Sequence, residues 1–90
     1  MSNDIITLNE IKQFLRLTGN EYDHMLEKMR VAAIEIASEY LGHQIVSTKH
    51  EAITQGIMTH VSLMFDMQYI SYSLPPQILQ FYKPYMELKI

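Results

Sequence analysis

Ninety residues with a formal net charge of −3, no cysteine and only seven lysines plus arginines make one small domain without a basic stripe. The missing cysteines exclude a disulfide framework and a thiolate metal site, and the sparse cations argue against a nucleic-acid binder. A core of this size is thermodynamically marginal, and association with other chains is a common remedy.

The first ten residues, Met1 to Glu10, carry no basic region ahead of an apolar core, so no secretory signal is expected and synthesis in a cytoplasm is. Thr7 followed three residues later by Glu10 is the pattern of a capping box, and it predicts a short helix through Leu8, Ile11, Phe14 and Leu15. Thr18-Gly19-Asn20 ends that helix. Asn20 is expected to cap the second, with Glu21 and Asp23 in the first turn where the helix dipole favours acids. The second helix should run to about Leu41 and stop at Gly42. Tyr22, Met25, Leu26, Met29, Ala33, Ile36, Ala37 and Tyr40 keep the spacing of an amphipathic helix. Val31 falls opposite them, among His24, Glu27, Glu35 and Ser38.

Ser47 and Thr48, with Glu51 three past Thr48, are expected to open a long third helix that frays near Ser71 to Ser73, ahead of Leu74-Pro75. Between Ala52 and Tyr82 the only formal charge is Asp66. At about 100° per residue, Glu51, Gln55, Thr59, Ser62 and Asp66 share one strip, while Ile53, Ile57, Met58, Val61, Met64, Phe65 and Tyr69 fan around most of the rest. So wide an apolar face exceeds what one small domain covers, and it points to a second copy or a partner. Its apolar runs are too short to span a bilayer. Pro75-Pro76 pre-sets a fourth helix through Ile78, Leu79 and Tyr82, which Pro84 is expected to end. Gln44 to Ser47 is the one candidate for an extended stretch. The fold class is all-α: a single domain over residues 1–90, a small bundle of about four helices, short, long, long and short.

Little here points to chemistry. His24, His43, His50 and His60 form no i, i+4 pair of the kind zinc sites use. His60 with Met64 could face one soft metal ion, but a buried histidine bonded to a backbone carbonyl is the simpler reading. No nucleophile–base pair, phosphate loop or carboxylate pair stands out, so neither an enzyme nor a cofactor is expected.

Leu8, Lys12, Leu15, Arg16 and Leu17, then Glu21, Asp23 and Leu26, then Ala33, Glu39, Tyr40, Leu41 and Gly42 follow a pattern that resembles the head–tail connector family of tailed bacteriophages. The second half is similar too, through Ile53, Gly56, Ile57, His60 and Phe65, then Leu74-Pro75, Ile78, Leu79, Pro84 and Tyr85. The resemblance runs from about Ile5 to Met86. Two neighbourhoods depart from it: relatives often carry an arginine where this chain reads Asp66-Met67-Gln68 and Met86-Glu87. The resemblance implies a structural virion protein of the neck, made in the bacterial host cytoplasm. Such proteins form a homo-oligomeric ring between the portal and the next neck or tail protein, and DNA passes through the channel without specific binding. No membrane is involved.

On that reading Val31, Met58, Phe65, Tyr69 and Tyr72 are the expected oligomer interface, with Asp66 as an ion-pair residue across the subunit boundary. The opposite face of the third helix, with Ala52, Gly56, Leu63 and Ile70, is expected to pack on the second helix. Tyr85, Met86, Leu88 and Ile90 alternate with Glu87 and Lys89 near the C-terminus and are expected to dock on a neighbour or on the next protein of the neck. Two other readings share many of these features. One is a small helical DNA-binding regulator, which Glu21 and Asp23 at the start of the second helix disfavour. The other is a small helical subunit of another cytoplasmic complex.

Overall fold

A computed structural model describes residues 6–42, 46, 50–70 and 73–86. Four helices follow one another: α1 (Leu8–Leu15), α2 (Asp23–Leu41), α3 (Glu51–Met67) and α4 (Pro76–Met86). No strand occurs among the described residues, and the fold is the expected all-α bundle. The expected extended stretch at Gln44 to Ser47 falls largely on residues outside the described ones, as do the start signals Ser47 and Thr48.

The capping box forms as the sequence suggests. The Glu10 N–H donates to Thr7 Oγ1 at 3.1 Å and the Thr7 N–H donates to Glu10 Oε1 at 2.8 Å, which fixes the first turn of α1. Arg16 closes that helix in the left-handed region at φ 62°, with the Leu17 N–H bonded to the Lys12 carbonyl at 2.9 Å. Asn20 does not cap α2. Its side-chain oxygen accepts from Lys12 Nζ at 3.0 Å, and Tyr22 stands at the N-cap position without a side-chain bond. Lys12 also pairs with Asp23 at 2.8 Å, so one cation ties the end of α1 to the beginning of α2.

Gly42 stops α2 at φ 91°, donating to the Ser38 carbonyl at 2.7 Å. This is a conformation that costs glycine little and other residues more. α3 starts at Glu51, behind an extended His50. It ends at Met67, several residues short of Ser71 to Ser73. Gln68 turns left-handed at φ 61°, and its Nε2 donates to the Phe65 carbonyl at 2.8 Å while the Tyr69 N–H reaches the Met64 carbonyl at 3.3 Å. The Pro75 carbonyl receives the Ile78 and Leu79 N–H groups at 3.0 and 3.1 Å and starts α4. Pro84 does not end α4, which continues to Met86. One turn from the helix end, an exposed proline removes a single backbone bond while its fixed φ stays helical.

α3 is the hub, packing on α2, α4 and α1. Its Ile53, Ile57, Val61 and Met64 interlock with Leu26, Met29, Ala33, Ala37 and Leu41 of α2, Ile11 of α1, and Ile78 and Tyr82 of α4. α2 is buried more widely than its stripe implied, with Ala32, Ile34 and Ser38 also inside. Most of the apolar fan on α3 is therefore covered by the chain itself. One assignment of faces is reversed: Gly56 lies against α4, not α2. A Cβ there would meet Tyr82 Cε1 at 2.6 Å and Phe81 Cβ at 3.0 Å, so the missing side chain is what lets the two helices approach.

Candidate functional site

Among the described residues the bundle leaves few large apolar side chains uncovered: Phe14, Tyr22, Val31, Tyr40, Met67 and Tyr69. Val31 stands on the outer strip of α2, where the flanking Lys28 and Glu35 are also exposed. Tyr69 is the most open of the six at 58 % exposure, just past the end of α3. Asp66 is exposed beside it, in line with the polar strip that holds Glu51, Gln55, Thr59 and Ser62.

Met58 and Phe65 are only half-buried and pack against the subunit's own core. Phe65 meets Tyr22 edge to face, with ring centroids 5.2 Å apart, a favourable geometry for aromatic pairs. The residues proposed from sequence as one contact face are thus divided. Val31 sits on the outer strip of α2, Tyr69 and Asp66 beyond and near the end of α3, and Met58 and Phe65 in the flank of the core. Tyr72, Leu88 and Ile90 lie outside the described residues. Tyr85 is half-buried, its ring 4.8 Å from that of His50, and Met86 closes α4.

Tyr22, Tyr40 and Phe14 fall on the apolar stripes of the sequence but are exposed, each at or next to a helix end. Their places at helix termini were the available signal. Met67 had none beyond its neighbour Asp66.

Among the described residues, two fully buried polar side chains have no protein partner. His60 is fully buried, both ring nitrogens lack a hydrogen bond, and the Tyr82 hydroxyl is in the same position. A backbone-bonded histidine, the simpler sequence reading, is not what the fold provides. Desolvation lowers the His60 pKa and raises that of Tyr82, so both remain neutral at pH 7. Among the described residues no cluster of three or more His, Cys, Asp or Glu is placed to hold a metal ion. No helix among them is long and apolar enough to cross a membrane.

Arg30 organises the polar side. Its guanidinium forks onto Glu27 at 2.9 and 2.6 Å and donates to the Ile6 carbonyl at 2.9 Å, fastening the segment before α1 to α2. The hydrogen bond from Arg30 holds the Glu27 carboxyl below its ordinary pKa against a partial desolvation.

A family model described as phage gp6-like head–tail connector protein matches residues 5–75, a span that takes in α1, α2 and α3. The match stops where α4 begins, short of the Met86 limit drawn from the sequence pattern. No curated protein and no solved structure matches the chain.

Proposed function

The chain belongs to the phage gp6-like head–tail connector family, a structural family of the virion neck, and from that premise we propose that it forms a homo-oligomeric ring joining portal to tail. The family match over residues 5–75 carries this reading. It takes in α1, α2 and α3, while α4, whose Ile78 and Tyr82 complete the core, lies beyond it.

Physical features support the finer parts. A ring repeats one heterologous interface until the rotation closes, so each subunit needs two different uncovered surfaces. Val31 on the outer strip of α2, and Tyr69 with Asp66 at the end of α3, are separate exposed positions of that kind. A net charge of −3 suits the wall of a channel along which DNA slides, because few cations are available to hold phosphates. The partners are then the portal above, the next neck or tail protein below, and DNA that passes without sequence-specific contact. Synthesis takes place in the host cytoplasm. At the beginning of α2, where a recognition helix would present cations, Asp23 is paired with Lys12 and Glu21 is exposed, so nothing favours a DNA-binding regulator.

Deleting the gene from a phage that encodes this chain tests the function. The reading expects DNA-filled heads and complete tails that fail to join, with joining restored by the purified protein. Normal virions from the deletion would overturn it.

A further inference from the structure

α4 is held to α3 by contacts that another copy of the chain would supply unchanged. Phe81 and Tyr82 lie on Gly56, and the Tyr85 ring stacks on that of His50, just ahead of α3. α4 therefore runs back along α3, antiparallel to it. Tyr82 is fully buried in this seam, and its hydroxyl has no hydrogen-bond partner. Lifting α4 returns that hydroxyl to water, so the seam opens at less cost than a fully satisfied one.

The turn that folds α4 back is strained at one residue. Gln68 leaves α3 in the left-handed region at φ 61°, which costs a residue with a side chain far more than it costs glycine. Glutamine is a good helix former, and the sequence alone carries α3 on past this point. The bonds that hold the turn are local: Gln68 Nε2 and the Tyr69 N–H reach back to the carbonyls of Phe65 and Met64. The left-handed turn at Arg16, by contrast, is clamped by Lys12, which bonds to both Asn20 and Asp23. Met67 and Tyr69 flank Gln68 and hold large apolar side chains open to solvent.

The geometry points to an exchange of α4 between copies. Gln68 returns to a helical φ, α3 lengthens through Tyr69 and Ile70, and α4 packs on the α3 of the next subunit. The occupant of that face is a second copy of this chain, and the fit is the one its own α4 already makes. Because the seam is the same in both arrangements, the balance lies at the turn, where exchange relieves the left-handed glutamine. The chain crosses between subunits beside Met67 and Tyr69, which brings both exposed side chains against the neighbour. Exchange of an identical element is a low-cost route to assembly. Each copy gives its α4 and receives another, so the contact is heterologous and closes where the rotation allows. The inference rests on the ring reading and supplies its joint.

The chain has no cysteine, so a pair introduced across the seam reports which α4 sits on which α3. His50→Cys/Tyr85→Cys places two thiols where the rings stack. The variant is assembled on purified portal, oxidised, denatured and run on a non-reducing gel. The assembled chains should run as covalently joined multimers, and a dilute free subunit as a single, internally bridged chain. Assembled chains that run single and internally bridged would overturn the exchange and leave the ring reading standing. No assembly on the portal, scored by co-sedimentation before oxidation, would overturn the ring reading and the exchange together. Where the double variant melts below the parent, Gln68→Gly carries the test. Glycine takes the left-handed turn freely, so the concentration needed for assembly should rise about fivefold. Assembly of Gln68→Gly at the parental concentration would overturn the exchange.

Discussion

Gly56 offers a test in which two physical effects of opposite sign compete. Replacing it with alanine raises helix propensity in the middle of α3, worth about 1 kcal/mol of stabilisation. The new methyl would sit 2.6 Å from Tyr82 Cε1, 3.0 Å from Phe81 Cβ and 3.2 Å from Tyr82 Cζ. None of these gives way easily, because Tyr82 is fully buried and a Cβ moves only with its backbone. Overfilling a packed site typically costs about 1–3 kcal/mol, so the clash should exceed the propensity gain and leave Gly56→Ala destabilised by about 1 kcal/mol. For a domain of this size that lowers the melting temperature by about 4–8 °C. Urea unfolding followed by circular dichroism measures it. Combining the change with Tyr82→Leu should recover about 1 kcal/mol relative to the sum of the single variants, since the first contact is then removed. A Gly56→Ala protein more stable than the parent would show that propensity acts unopposed and that α4 does not lie on Gly56.

Four further outcomes follow from the same contacts. His60 is buried without a partner and its pKa is lowered from 6.5, so the unfolded chain takes up the proton more readily; stability present above pH 6.5 should fall as the pH drops below it, and His60→Leu should flatten that limb in urea titrations between pH 5 and pH 7.5. Thr7→Ala removes the oxygen that caps α1 and should cost about 1 kcal/mol in the same assay. Arg30→Ala strips the donor from the Ile6 carbonyl and the fork from Glu27, and should cost about 1–3 kcal/mol. Val31→Glu, on an exposed position of α2, should leave the melting temperature within about 2 °C of the parent while weakening assembly in light scattering.

Local signals were the readable part of the sequence. The Thr7–Glu10 box, the glycine stop at Gly42 and the Pro75-Pro76 start each depend on residues a few positions apart, and each forms as its pattern implies. What the pattern could not carry was which side chain meets which across the bundle. Asn20 looks like a cap, yet Lys12, eight residues earlier, takes its oxygen. Gln68 is not a usual stop residue, and it turns the chain because its own amide reaches back to Phe65. Gly56 marks a close approach, but periodicity along α3 does not say that the approaching helix is α4. The candidate surface was legible in the same measure. Val31, Tyr69 and Asp66 are exposed, whereas Phe65 is half-covered by Tyr22, a contact forty-three residues apart that no local pattern records.

The central claim is that copies of this chain assemble into a ring on the portal. Native mass spectrometry of the chain mixed with purified portal measures it directly. The account expects a complex whose added mass is one fixed multiple of the subunit mass, with no appreciable species of intermediate stoichiometry. Portal that emerges at its own mass, with this chain beside it as a monomer, would contradict the account.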